Sequence, residues 1–73
     1  MSYRLRTDRL RDLAKAKGDE SGYAIAQRTG LAESTISRLL RGKTQPGAKA
    51  LMCFRKAYGA TAEDLMESLE PAA

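Results

Sequence analysis

Residues 22–41 read GYAIAQRTGLAESTISRLLR, and this stretch decides the fold that the sequence predicts. It contains two segments in which apolar residues recur at intervals of three and four, as on one face of a helix. Gly30 separates the segments, and glycine adopts positive φ without steric cost. The stretch therefore predicts two helices, over about residues 22–29 and 32–41, that are joined by a tight turn.

The side chains of this stretch meet the demands of two helices that cross closely over a short turn. A small residue, Ala26, falls where the helices would cross. Apolar residues are available to fill the angle between them: Ile25, Leu31, Ile36 and Leu39. The outer face of the second helix carries only polar or charged residues: Glu33, Ser34, Ser37 and Arg38. This pattern is typical of a helix-turn-helix whose second helix approaches base edges in DNA.

Three more helices are predicted around this pair, and no strand alternation is visible. The first covers residues 3–17 or 7–17, because Leu5 lies off the apolar stripe and leaves the start open. The others cover residues 48–58 and about 61–69, with a tail over residues 70–73. Ser21 and Thr61 are predicted N-caps. The predicted fold class is all-α, a compact five-helix domain that spans residues 1–73.

The amino-acid composition excludes several classes of protein and of site. Cys53 is the only cysteine and histidine is absent, so an internal disulfide and a Cys/His zinc site are excluded. No apolar run approaches the roughly 20 residues that span a bilayer, and the arginines near the N-terminus precede no apolar stretch. No paired carboxylates or glycine-rich phosphate loop indicate an enzyme. We expect a cytoplasmic protein without cofactor or metal, with Cys53 as a small buried residue.

The positive charge is concentrated in one part of the chain. Residues 1–43 contain ten Lys/Arg and five Asp/Glu, a net charge of +5, whereas residues 44–73 have a net charge of −1. A phosphate-binding face requires such a local positive field, although a soluble basic domain could show it too. Arg4, Arg6 and Arg9 form either an arm that contacts phosphates or a solvated helix face, and both interpretations stay open.

The chain resembles the Cro/CI-type (XRE) helix-turn-helix family of small phage and bacterial regulators. The resemblance covers about residues 10–69 and rests on these residues: Ile25-Ala26, Thr29-Gly30-Leu31, Ser34-Thr35-Ile36-Ser37-Arg38, Arg41-Gly42-Lys43, Pro46, Leu51, Phe54 and Ala57-Tyr58-Gly59. It implies a lambda-repressor-like domain whose third helix enters the major groove.

The resemblance also implies which residues contact DNA. The residues expected to read bases are Glu33, Ser34, Ser37 and Arg38. The residues expected to bind phosphates are Gly22, Tyr23, Thr35, Arg41, Lys43 and Thr44. An arginine suits the two acceptors of guanine, whereas Glu33 either accepts from cytosine, excludes other sequences or orients Arg38. No cofactor or metal is implied.

Three positions depart from the family pattern. Gly22 replaces a common glutamine, and Ala32 replaces the usual Ser or Thr cap of the third helix. Leu40 stands where many members have a glutamate that pairs with an arginine of the first helix. The arginine position is Ala14 or Lys15, depending on the length of the loop after Gly18, and the leucine spacing favours Ala14. An apolar contact is therefore expected in place of an ion pair.

The expected function is that of a Cro-like repressor that binds a palindromic operator as a homodimer. Dimer contacts are expected from the fifth helix and tail or from the loop before the fourth helix, with Leu69, Met66 and Tyr58 as candidates. The alternative is a protein-interaction module such as an antitoxin or a partner of another regulator. That alternative requires a partner-binding segment, for which the sequence offers only residues 70–73.

Overall fold

The computed structural model describes residues 3–68 as five helices and one two-stranded sheet. The elements are β1 (Tyr3–Leu5), α1 (Thr7–Ala16), α2 (Gly22–Thr29), α3 (Glu33–Leu40), α4 (Ala48–Tyr58), α5 (Ala62–Leu65) and β2 (Met66–Ser68). The predicted bounds of α2 and α4 are confirmed, and α3 is one residue shorter at each end than predicted. Leu69 and the predicted tail over residues 70–73 lie outside the described residues.

The described chain is mostly helical, as predicted, with five helices, but a short strand that was not predicted lies at each of its ends. β1 and β2 pair in antiparallel register, with Arg4 opposite Glu67 and Leu5 opposite Met66. The fifth helix consequently ends at Leu65, so its predicted end near residue 69 is wrong. The first helix begins at Thr7, the later of its two predicted starts. Leu5 is only 3% exposed, so extended pairing lets it reach the core while its backbone remains hydrogen-bonded. Strands of three residues are too short for alternation to reveal them in the sequence.

Side-chain and backbone hydrogen bonds attach β1 to the rest of the domain on both sides. The Arg6 N–H donates to the Leu65 carbonyl oxygen at 2.7 Å, where β1 leads into α1. The Leu5 N–H donates to Oε1 of Gln45 at 2.7 Å. Gln45 lies in the loop between α3 and α4, so β1 holds this loop against the start of the chain.

A single apolar core lies between the helices and the inner face of the sheet. Its most buried side chains are Phe54, Leu10, Ile36, Leu39 and Leu65, which come from α1, α3, α4 and α5. Full burial of each such side chain contributes about 1.5–3 kcal/mol. The α2 helix adds Ile25 and Ala26, so the side of α3 that carries Ile36 and Leu39 is covered by α2 and the core.

The turn between α2 and α3 is closed by backbone and hydroxyl groups. Gly30 has φ +78°, and its N–H donates to the Ala26 carbonyl oxygen at 2.9 Å. Thr29 is buried, and its hydroxyl donates to the Ile25 carbonyl oxygen at 2.8 Å and accepts from the Leu31 N–H at 3.3 Å. This threonine therefore satisfies polar groups that the turn would otherwise leave buried without partners.

The two predicted N-caps, Ser21 and Thr61, are confirmed. Ser21 Oγ accepts from the Ala24 N–H at 3.1 Å, and Thr61 Oγ1 accepts from the Asp64 N–H at 3.2 Å. Ala32 precedes α3 without a side-chain cap, because its methyl group offers no acceptor. Among residues 3–68, no helix combines the length and apolar character needed to cross a membrane.

The glycines at the two ends of α2, Gly22 and Gly30, are expected to respond oppositely to replacement by alanine. At Gly22 an added Cβ would lie 3.7 Å from Ile36 Cγ2, an ordinary contact, so Gly22→Ala should stabilise the fold by up to about 1 kcal/mol. Gly30→Ala should destabilise it by about 1–2 kcal/mol, because φ is positive there. Urea unfolding of the two variants checks both signs. Equal effects would contradict the left-handed turn at Gly30.

Candidate nucleic-acid interface

The outer face of α3 carries the four residues that the sequence predicts to read bases. Glu33, Ser34 and Arg38 are exposed and Ser37 is partly exposed, whereas Ile36 and Leu39 on the other side are buried. Within residues 3–68, none of the four makes an ion pair or a side-chain hydrogen bond. Their polar groups are therefore available to a partner outside the domain.

The start of α2 lies directly against α3. A Cβ built on Gly22 would be 3.7 Å from Ile36 Cγ2 and 3.9 Å from Leu40 Cδ1. Tyr23, the next residue, is 59% exposed. Because Ser21 Oγ accepts only from Ala24, the N–H groups of Gly22 and Tyr23 have no acceptor within the helix. The predicted pair of phosphate-binding amides thus borders α3.

The remaining predicted phosphate-binding residues lie on α3 and in the loop that follows it. Arg41, Lys43 and Thr44 are exposed, and Thr35 is partly buried on the flank of α3. The Lys43 N–H donates to the Arg38 carbonyl oxygen at 3.0 Å, so the turn after α3 is held against the helix. The structure therefore brings the base-reading and phosphate-binding candidates to one helix and its two borders.

The two positions at which the sequence predicts an apolar contact in place of an ion pair are both buried to some extent. Ala14 is fully buried, and Leu40 is partly buried against the core. Lys15 is exposed and lines a groove with Arg11, Gly22 and Leu40. Ala14 and Leu40 both pack against the same apolar core, and a direct contact between them stays a prediction.

Several basic residues are already paired with carboxylates. Arg28 pairs with Asp19, Arg4 pairs with Glu67, and Arg9 pairs with Asp64 at 3.5 Å. Other cations have no ion pair within the described part of the chain, and among them are Arg6, Arg11, Arg38, Arg41 and Lys43. The excess positive charge therefore includes the end of α3 and the loop after it.

Comparison with protein-family models, with curated proteins and with solved structures finds no match to this chain. The function therefore has to be inferred from the residues and their arrangement.

A polar network that the sequence did not predict joins the ends of α1, α2 and α4. The Asp19 carboxylate accepts from Arg28 and, at 2.9 Å, from the Tyr58 hydroxyl. Arg28 Nη2 also donates to the Lys17 carbonyl oxygen at 3.3 Å, just beyond α1. Tyr58, a predicted dimer contact, is instead buried with its hydroxyl bound inside the domain, so that prediction is wrong for this residue. Partners 9 and 39 positions from Asp19 leave no local signal in the sequence.

The network shifts the pKa values of Asp19, Arg28 and Tyr58. The hydrogen bond from Arg28 holds the pKa of Asp19 below its ordinary value, and the Tyr58 hydroxyl acts in the same direction. The bond to Asp19 raises the pKa of Arg28. Burial, followed by the hydrogen bond to Asp19, raises the pKa of Tyr58. Arg28 is thus a structural cation held by the fold.

Acid should remove the contribution of this network to stability. Because the pKa of Asp19 is lower in the folded chain, its stabilisation is present above the unfolded pKa and is lost as pH falls. The melting temperature of the wild type should therefore fall more steeply than that of Asp19→Asn as the pH is lowered from about 5 to about 3. Asp12→Asn, on the exposed side of α1, serves as the control and should follow the wild type. Parallel curves for Asp19→Asn and the wild type would contradict the assignment.

Proposed function

We propose that the chain is a sequence-specific, double-stranded DNA-binding transcriptional regulator, a Cro-like repressor of the bacterial cytoplasm. In this proposal α2 and α3 form the helix-turn-helix, and α3 enters the major groove. One observation carries the proposal. The inner side of α3 is buried through Ile36 and Leu39, while its outer side presents Glu33, Ser34 and Arg38 without partners in the described chain.

The chemistry of this outer face suits base edges. The Arg38 guanidinium can donate two parallel hydrogen bonds to O6 and N7 of guanine. The Glu33 carboxylate can accept from the amino group of cytosine. Ser34 and Ser37 are short, so they allow the helix backbone to approach the groove floor closely while still offering hydroxyl groups.

Phosphates would be held on both borders of α3. The free N–H groups of Gly22 and Tyr23 at the start of α2 suit one phosphate, because backbone amides at a helix start attract anions. Arg41, Lys43 and Thr44 suit further phosphates beyond the end of α3, and Thr35 lies between these borders. Such contacts set the register of the helix on the duplex but carry no sequence information.

One domain reads only a few base pairs, so we propose a homodimer on a palindromic operator. Its two α3 helices would lie about 34 Å apart, one turn of the DNA helix. Met66 remains a candidate contact, because it lines a cleft of about 440 Å³ with Tyr3, Leu51 and Ala62. Tyr3 is 50% exposed at this cleft. Leu69 lies outside the described residues, and its role as a dimer contact stays a prediction.

Selection of bound duplexes from a random pool at near-physiological salt tests the proposal. A palindromic consensus is the expected result and would identify the operator. Weak, salt-sensitive binding without any consensus would overturn it and would favour a protein-interaction module with this fold. The affinity of each variant is then measured with the selected duplex.

Arg38→Ala should weaken operator binding by about 1–3 kcal/mol and relax the preference at one base position. The physical reason is the loss of a bidentate contact with a base edge. Repeating the selection with the variant measures both effects. Arg55→Ala removes the same charge from an exposed position on α4 and should leave the consensus unchanged. Full affinity and selectivity of Arg38→Ala would show that Arg38 reads no base.

Lys43→Ala should weaken binding to all duplexes alike and flatten the dependence of affinity on salt. A phosphate contact releases counterions whatever the base sequence is, so operator and random duplexes should lose equally. Titrations at several salt concentrations, with Lys56→Ala as the charge-matched control, measure the slope. A loss confined to the operator would contradict the phosphate role.

A further inference from the structure

The three arginines near the start of the chain have different surroundings. Arg4 donates from Nε to Glu67 Oε1 at 2.8 Å, and Arg9 Nη2 lies 3.5 Å from Asp64 Oδ1. Arg6, which lies between them, has no carboxylate partner within residues 3–68. The fold therefore neutralises two of the three arginines and leaves Arg6 available to a partner.

Arg6 lines an open groove of about 500 Å³ between the start of the chain and the end of α3. The charged residues of this groove are Arg4, Arg6, Asp8, Arg41 and Glu67, and its other walls include Leu39, Leu40 and Gln45. Arg6 and Arg41 both line this groove, and two hydrogen bonds donated by backbone N–H groups hold this part of the chain in place. The Leu5 N–H binds the Gln45 side chain, and the Arg6 N–H binds the Leu65 carbonyl oxygen.

The balance of charge in this groove favours an anion. Arg4 and Glu67 compensate each other by their ion pair. Arg6 and Arg41 then face a single unpaired carboxylate, that of Asp8. The groove also adjoins the end of α3, so it continues the surface on which Arg41 and Lys43 are proposed to hold phosphates.

We propose that Arg6 binds a further backbone phosphate of the DNA in this groove, beyond the one assigned to Arg41. The inference rests on the proposed function and extends its footprint from the end of α3 to the start of α1. Arg4 and Arg9 take no part, because their guanidinium groups are bound to carboxylates. The ligand is a phosphodiester, and the contact contributes affinity without contributing to the choice of sequence.

The salt dependence of DNA binding tests this role. Each neutralised phosphate contributes about 0.9 to the slope of log affinity against log salt, so Arg6→Ala should lower the magnitude of the slope by about that amount. Arg9→Ala removes the same charge from a residue paired with Asp64 and should leave the slope unchanged. Arg6→Lys should restore most of the slope, since it keeps the charge.

The carboxylate in the groove provides a test of opposite sign. Asp8→Asn should increase affinity for operator and random duplexes alike, because it removes repulsion of the phosphate. Asp12→Asn, also on α1, is the matched control and should increase affinity less. No gain for Asp8→Asn beyond that of Asp12→Asn would overturn the placement of a phosphate in this groove.

The outcomes separate this inference from the proposed function. Absence of wild-type binding to any duplex overturns both. Operator binding by the wild type, with the same salt slope for Arg6→Ala, overturns the role of Arg6 alone. Melting temperatures establish that each variant is folded. Arg6 caps α1 through its carbonyl oxygen, which accepts from Leu10 at 3.0 Å and remains in the alanine variant.

Discussion

The packing of α2 against α3 across Gly30 is the constraint on which the rest of the surface depends. Ile36 and Leu39 can be buried only if α3 turns one side inward, and this burial exposes its polar side. Gly30 makes the turn with positive φ, while the Thr29 hydroxyl satisfies the polar groups beneath it. Apolar burial, worth about 1.5–3 kcal/mol for each large side chain, therefore determines where Glu33 and Arg38 point.

The fold also divides the arginines into structural and available ones. Arg28 joins the ends of three helices through Asp19 and Tyr58, and Arg4 is held across the strand pair by Glu67. Exposed ion pairs contribute little to stability, with a typical value of about 0–1 kcal/mol. In the proposed function their larger effect is on the surface charge, because each pair compensates one cation that would otherwise attract phosphates. The cations without a carboxylate partner in the described chain include Arg41 and Lys43 near the end of α3.

The sequence predicted the α2–α3 pair well because its signals are local. The apolar spacing, the Ser21 cap and the position of Gly30 all lie within a few residues of the helix ends that they specify. The polar side of α3 follows from the same periodicity. The strands were missed because β1 and β2 are three residues long and lie at opposite ends of the described chain. The role predicted for Tyr58 failed because its partner, Asp19, is 39 positions away.

The sequence by itself determined α2, α3 and α4, the turn at Gly30 and the polar character of the outer side of α3, because periodicity and backbone preference act over a few residues. Only the tertiary structure decided which charged groups remain available. Arg4, Arg6 and Arg9 look alike in the sequence, yet Glu67 and Asp64 bind two of them and the third faces a groove with Arg41. Long-range pairing makes this difference, since a guanidinium is compensated only by a carboxylate that the fold brings within a few ångströms of it.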